Sequence, residues 1–195
     1  SVARSNGLSL HENARLFAEA ERSRQAAESF AEVGRIISQS LDPAEVAERI
    51  VECVRRLFDA NVASLYRVDG QTDDLVALAG SGALGPAWHA GVRLPAGTGA
   101  SGVAVRDRRP VLSDDVFNDP RIPLTVEIRN RLTFGAFPAV LAVPIVYRDQ
   151  ATGALSIGRP KGQTFHGDEI RMAEAFASQA ALALENARAA AELPA

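Results

Sequence analysis

The feature that most constrains the fold is the glycine-rich stretch Gly91–Arg121, which reads GVRLPAGTGASGVAVRDRRPVLSDDVFNDPR. From Gly97 its glycines have the spacing G-x-G-x-x-G, which allows positive φ angles and can place an anion on the free N–H groups of a helix start. The strand before them ends at Pro95 and the helix after them is broken by Pro110. Because a dinucleotide site needs a βαβ unit of ~30 residues, the pattern predicts a tight strand-to-helix turn and no dinucleotide cofactor.

Composition excludes several classes of protein. The chain of 195 residues is 47% hydrophobic and 23% charged, which is typical of one globular domain with appendages. Its net charge of −3 does not favour a nucleic-acid partner. The single cysteine cannot form an internal disulfide, and no apolar run reaches the ~20 residues that span a bilayer. We therefore expect a cytoplasmic protein with no membrane segment in this stretch.

The first forty residues are predicted to form one long helix, from about Leu10 to Ser40. Its apolar residues alternate at spacings of three and four, which suits a two-helix coiled coil but also a helix packed on its own domain. Both interpretations stay open up to Ala27. Beyond Phe30 the apolar stripe broadens, which favours packing on the domain. The row consists of Leu16, Ala20, Ser23, Ala27, Phe30, Gly34, Ile37 and Leu41.

The same four-residue sequence occurs near both ends of the chain. The sequence Glu-Asn-Ala-Arg at Glu12–Arg15 recurs at Glu185–Arg188, about one domain length later. The simplest hypothesis is that the first helix is the end of a preceding, related domain in a tandem array.

A second helix begins at Asp42-Pro43, where Asp caps the helix and Pro occupies its first position. It runs to Phe58 and places Cys53 among apolar residues, which predicts a buried, inert thiol.

Alternating and apolar runs predict the strands. They lie at Asn61–Val68, Asp74–Ala79, Val111–Asp114, Pro138–Tyr147 and Thr152–Arg159, with a loop at Gly80–Gly91 and a helix at Thr125–Arg131. The nearly all-apolar run Pro138–Tyr147 predicts a central strand, and Pro144 inside it predicts a bulge or a local loss of pairing.

The last helix is predicted from near His166 to about Ala191. One row of it keeps strict three-four spacing, which predicts the seam of a homodimer. The row consists of Ile170, Ala173, Ala177, Ala180, Leu184 and Ala187.

Taken together, several of these stretches resemble the GAF domain family over about Ser40–Arg188. They are SLDPAEVAERIVECV, LPAGTGASGVAVRDRRPVLSDDVFNDPR, PAVLAVPIV with TGALSIGR, and TFHGDEIRMAEAFASQAALALENAR. The resemblance implies an α+β, PAS-related fold with a six-stranded antiparallel sheet, helices on both faces and long terminal signalling helices. It divides the chain into an N-terminal linker or coiled-coil helix (1–40), a domain core (41–166) and a C-terminal signalling helix (167–195).

Departures from the family limit the cofactors that we expect. Bilin-binding members and the methionine-sulfoxide reductases of this family need pocket cysteines, whereas Cys53 lies on the entry helix. Phe165, Asp168 and Glu169 resemble the end of a cyclic-nucleotide signature, but the spacing is one residue short and no Asn-Lys precedes them. A helix start explains these three residues better, because acidic side chains there interact favourably with the helix dipole. No cofactor is therefore predicted, with bilin, haem and cyclic nucleotide all disfavoured.

Catalytic and metal sites are not predicted either. His11, His89 and His166 are far apart, and Ser101 lies in no G-x-S-x-G elbow. We expect Asp114 or Asp115 to form an ion pair with Arg121 or to contact a polar ligand.

The resemblance implies a pocket roofed by the segments after Leu94 and after Asp114. The candidate ligand-binding residues are Tyr66, Trp88, His89, Asp114, Arg121 and Phe134. It also implies a sensory, non-enzymatic module of a bacterial signalling protein such as a sensor histidine kinase of a two-component system. Its expected partners are a second copy, bound through the terminal helices, and an unknown small molecule. The alternatives are a ligand-free dimerisation spacer and a small-molecule enzyme that uses the same pocket.

Overall fold

A computed structural model describes residues 2–133 and 137–194. The elements in chain order are α1 (Val2–Gln39), α2 (Pro43–Leu57), β1 (Val62–Val68), β2 (Leu75–Gly82), β3 (Arg93–Leu94), α3 (Gly99–Asp107), β4 (Val111–Ser113), α4 (Val126–Thr133), β5 (Ala139–Tyr147), β6 (Gln150–Arg159) and α5 (Gly167–Ala191). The predicted elements are all present, and most boundaries agree to within a few residues. The exceptions are α1, which begins earlier, and β2, which continues to Gly82 where a loop from Gly80 was predicted.

The six strands form one antiparallel sheet in the order β3-β2-β1-β6-β5-β4. Helices α2 and α5 pack on one face, and α3 and α4 cover part of the other, as the resemblance implied. Strand β5 is interior to the sheet, as predicted. Pro144 lies opposite Ala154, and the register shifts just after it, between Ile145 and Val146, so the predicted irregularity is present.

Helix α2 starts as its sequence indicates. The Asp42 carboxylate accepts a hydrogen bond of 3.0 Å from the N–H of Ala44, and Pro43 is the first helical residue. The apolar face of α2 then lies in the main core, where Val46, Ile50 and Val54 are fully buried.

The residues of α5 that were predicted to form a dimer seam pack instead inside their own domain. Ala173, Ala177, Ala180 and Ala187 are buried inside their own domain, and Ile170 and Leu184 pack against the same core. Small side chains let the backbone of α5 approach α2 and the sheet closely, so the alanine spacing serves packing within the domain. The four buried alanines are therefore not accessible to a second copy, and dimerisation itself stays a prediction. The boundary predicted at residue 166 does not separate two packing units, because the buried residues of α5 belong to the same core as those of α2 and the sheet.

Helix α1 contacts the domain through its C-terminal half. The ring of Phe30 stacks on Phe176 of α5, with centroids 4.9 Å apart and an interplanar angle of 19°. Nearer the N-terminus, Leu10, Leu16 and Phe17 are exposed, Phe17 to 74%. Helix α1 therefore packs on its own domain at Phe30, whereas a coiled coil through the N-terminal half stays a prediction. No helix in the described part of the chain is both long enough and apolar enough to cross a bilayer.

Candidate functional site

The glycine-rich turn leads directly into α3. Gly97 and Gly99 have φ angles of +71°, which glycine adopts without strain. At Gly102 a Cβ atom would lie 2.8 Å from the carbonyl carbon of Gly97, so the two backbones are in close contact. Because the neighbouring strands are antiparallel and α3 spans only nine residues, the tight turn is confirmed and no βαβ unit is formed in this described stretch.

A cavity of about 120 Å³ lies between the sheet and the segments that α3 and α4 belong to. Its floor is the sheet face opposite α2 and α5, and the residues that form it come from alternate positions of three central strands. These residues are Val62, Ser64, Tyr66, Val140, Ser156 and Gly158. Successive side chains of a strand point to opposite faces, so Leu65 lies in the main core while Ser64 and Tyr66 face the cavity.

The roof of the cavity comes from four segments. The first turn of α3 contributes Ala100 and Ser101, the loop after β2 contributes Trp88, and α4 contributes Ile128 and Arg131. Val116, from the segment after β4, also lines it. The two segments that the resemblance implied as a roof therefore do cover the cavity.

Several buried polar groups of the cavity have no hydrogen-bond partner among the described residues. Ser64 and Ser101 are 7% and 5% exposed, and neither hydroxyl hydrogen-bonds to another described residue. The indole Nε1 of Trp88 is also buried, with no acceptor among the described residues. Buried polar groups are normally paired, so these unpaired groups mark a place where a ligand or water can bind.

Two of the six predicted pocket residues line the cavity. Tyr66 is buried on its floor and Trp88 lies in its roof. His89 is exposed and lines a separate outer cleft with Arg93, and its Nδ1 lies 2.9 Å from the carbonyl oxygen of Ala90. Phe134 lies outside the described residues.

The remaining two predicted residues, Asp114 and Arg121, lie in a shallow surface cleft away from the cavity. Arg121 forms its ion pair with Asp119, at 2.6 Å, and donates a hydrogen bond of 2.7 Å to the carbonyl oxygen of Leu112. These contacts correct the expected pairing with Asp114 or Asp115. The hydrogen bond from Arg121 holds the pKa of Asp119 well below its usual range, outweighing the opposing effect of desolvation. Asp115 instead pairs with Lys161 at 3.2 Å.

The serines of the cavity are absent from the predicted set. Strand alternation could have found Ser64, because it shares a face with Tyr66 two residues later. Ser101 gave no such signal, because only the folded turn shows which side of α3 faces the sheet.

Cys53 lies on the other side of the sheet, in a groove between α1 and α2. Cys53 is half-buried where a buried thiol was predicted, and this partial burial raises the pKa of its thiol to about 11, which suits an inert cysteine. No group of three or more histidine, cysteine, aspartate or glutamate side chains that could hold a metal occurs in residues 2–133 and 137–194.

Comparison with protein families and solved structures places this geometry in a known fold. The sequence model of a family described as "GAF domain" matches residues 40–185. A search of the curated proteins gives no match.

Among solved structures, the chain is similar to the GAF domain from an Acinetobacter phosphoenolpyruvate-protein phosphotransferase, at 18% identity and a TM-score of 0.72, covering 86% of this chain and 98% of that one. It is also similar to the free methionine-R-sulfoxide reductase of Neisseria meningitidis in complex with its substrate, at 18% identity and a TM-score of 0.68, with coverages of 85% and 91%. A third is residues 122 to 287 of a methyl-accepting chemotaxis protein, at 20% identity and a TM-score of 0.69, with coverages of 83% and 99%.

Proposed function

Because the chain belongs to the GAF domain family, we propose that it is a regulatory module of a cytoplasmic signalling protein and that it binds a small molecule between the sheet and α3. The observation that carries the proposal is the cavity of about 120 Å³, with a mainly apolar lining and unpaired hydroxyls. An apolar cavity with a few convergent polar groups is the usual form of a small-molecule site.

The same sheet offers a route from the cavity to α5. In β6, Ser156 faces the cavity while its neighbours Leu155 and Ile157 pack in the core that α5 completes. A ligand that shifts β6 would therefore also shift the core residues against which α5 packs. It can bias α5 only to the extent that it binds one arrangement of the helix more tightly than another. We propose that α5 carries this bias to an output domain, of which a sensor histidine kinase is one candidate.

A ligand-free spacer is the second candidate function, and the size of the cavity favours it. Sites for drug-sized ligands measure about 300–1,000 Å³, well above the volume found here. A few ordered waters could occupy this space, since each needs only about 30 Å³ of liquid volume. The two candidates therefore differ in whether the purified protein binds an organic molecule.

An enzymatic role in this cavity has less support. Among the described residues that line it there is no cysteine, histidine or carboxylate. The cysteine that sulfoxide reduction would use lies behind the sheet with a pKa of about 11. Signalling is also the role that the chemotaxis relative has by name.

We further propose that the module pairs with a second copy through exposed apolar side chains of the terminal helices. The candidates are Leu16 and Phe17 of α1 and Leu182 of α5, all at least half exposed. Light scattering tests this: a Phe17→Asp variant that stays as dimeric as the parent would contradict the proposed surface.

The decisive experiment compares the native mass of the purified chain with its denatured mass, for the parent and for Ser156→Leu. The leucine side chain would fill part of the cavity, so a bound molecule seen in the parent should be lost. Gln150→Leu is the matched control, because Gln150 lies on the same strand but is exposed. A bare parent protein that also fails to bind any added small molecule would refute the sensor proposal in favour of the spacer.

A further inference from the structure

We propose that the ligand of this cavity is a short carboxylate whose oxygens bind the first turn of α3 and the hydroxyls of Ser64 and Ser101. The inference rests on the proposed function, since it names the chemical class of the molecule that the cavity would hold. It is carried by two independent sets of polar groups, one from a helix start and one from the sheet and the loop after β2.

The first set belongs to α3. The N–H of Gly99 donates to the carbonyl oxygen of Pro123 at 2.8 Å and that of Gly102 to the carbonyl oxygen of Thr98 at 3.2 Å. Ala100 and Ser101 lie between Gly99 and Gly102 in the chain, and their N–H groups have no acceptor among the described residues. Thr98, the residue before the helix, makes no side-chain capping bond. Both residues are buried on the cavity wall. Free N–H groups and the positive end of the helix dipole together favour a negatively charged ligand group.

The second set comes from outside the helix. Ser64 projects from β1, is more than nine-tenths buried and lines the cavity without a hydrogen-bond partner among the described residues. The buried Nε1 of Trp88 is a further donor without an acceptor in the described part of the chain. Hydroxyls can donate or accept, but the backbone N–H groups and the indole can only donate. The ligand must therefore carry acceptors.

The charges around the cavity point the same way. Among the described lining residues there is no aspartate or glutamate, and the one ionisable group that is charged at neutral pH is Arg131 of α4. Its guanidinium is half-buried and pairs with Glu127, which is itself largely exposed. A buried anion needs charged or dipolar partners, and Arg131 with the start of α3 supplies both, whereas a ligand cation would find none in the described lining.

Size limits the rest of the molecule. Benzene, with six non-hydrogen atoms, binds in a cavity of about 150 Å³, so the 120 Å³ here has room for about five or six such atoms. That is enough for a carboxylate with a tail of about three carbons. The apolar floor from Val62 and Val140 suits such a tail. A nucleotide is several times too large.

The test is calorimetric titration of the full chain with butyrate, butyramide and butan-1-ol at neutral pH. Butyramide has the shape of butyrate without its charge, so butyrate should bind at least about tenfold more tightly. Ser101→Ala and Ser64→Ala should each weaken butyrate about tenfold or more, the range for hydrogen bonds to a charged group. Ser113→Ala is the matched control, because Ser113 is equally buried but lies outside the cavity. The affinity of this variant for butyrate should equal that of the parent.

The outcomes separate this inference from the proposed function. If butyramide or butan-1-ol binds as tightly as butyrate, the assignment of the ligand as a carboxylate is wrong, although the cavity still binds a small molecule. If none of the three binds but the native mass spectrum shows another bound molecule, the inference again fails and the proposed function stands. Tight butyrate binding that both serine variants retain, while their melting curves match the parent, would overturn the assignment of the donors.

Discussion

Replacing Glu169 by glutamine should remove the ion pair that attaches the start of α5 to the sheet. Glu169 accepts hydrogen bonds from the guanidinium of Arg159, at the end of β6, with a closest distance of 2.5 Å. Arg159 also donates to the carbonyl oxygens of Phe58 and Thr164, and its guanidinium lies 4.2 Å from the centre of the Phe165 ring. This one side chain therefore joins the end of α2, the end of β6 and the start of α5.

The expected loss follows from the burial of the pair. The Arg159 and Glu169 side chains are 11% and 23% exposed. Breaking a fully buried pair costs about 3–5 kcal/mol and an exposed pair contributes about 0–1 kcal/mol. Glutamine can still accept the N–H of His166, which Glu169 accepts at 3.0 Å. We therefore expect a loss of about 2 kcal/mol in the free energy of unfolding, which is a fall in Tm of about 4–8 °C for a chain of this size.

The assay is urea unfolding at pH 7 with Asp168→Asn as the matched control. Asp168 lies in the same first turn and pairs with Arg171, but both side chains are at least 74% exposed. The control loses the same favourable interaction with the helix dipole and no buried pair, so it should lose less than about 1 kcal/mol. If the two variants lose equal stability, the buried pair does not stabilise the start of α5 and the reasoning is wrong.

The pH dependence provides an independent check on the same pair. Burial alone would raise the pKa of Glu169, but the hydrogen bonds from Arg159 and the His166 N–H outweigh it and lower the pKa below its ordinary value. A carboxyl whose pKa is lowered by folding stabilises the protein above its unfolded pKa of about 4.3, and this contribution is lost as the pH falls through the folded pKa. The stability difference between the parent and Glu169→Gln should therefore be constant near neutrality and shrink below about pH 4.3. A difference that does not shrink there would contradict the charge argument.

Three other predictions concern single side chains. Gly102→Ala should lower the free energy of unfolding by about 2 kcal/mol or more in urea unfolding, because its Cβ would meet backbone at 2.8 Å; an unchanged midpoint would show that the turn can relax. Phe30→Ala should cost about 1.5–2.5 kcal/mol through loss of its stack on Phe176, whereas Leu10→Ala, at an exposed position of the same helix, should cost less than about 0.5 kcal/mol; equal losses would show that α1 is not docked as described. Cys53 should react with a thiol reagent at about pH 7.5 at least about tenfold more slowly than free cysteine, because its pKa is about 11; a rapid reaction in the folded state would contradict its burial.

Local chemistry by itself determined most of the helices and strands. Asp42-Pro43 is a strong helix start on its own, and the apolar run at Pro138–Tyr147 suits an interior strand. The glycines from Gly97 marked a turn because their spacing matched positions that need positive φ or the absence of a Cβ. These preferences involve neighbours a few residues apart, so the sequence alone contains the information for them.

Tertiary structure decided which surface each side chain reaches. The alanine row of α5 suits a dimer seam and a domain core equally well, because small residues allow close approach to any partner. Only the position of α2 and the sheet assigned it to the core. In the loop after β2, Trp88 enters the cavity and the next residue, His89, lies outside it, since a loop has no fixed alternation from which to read this. The cavity is formed by residues from segments that are distant in the chain, and their meeting is a property of the packed sheet and roof.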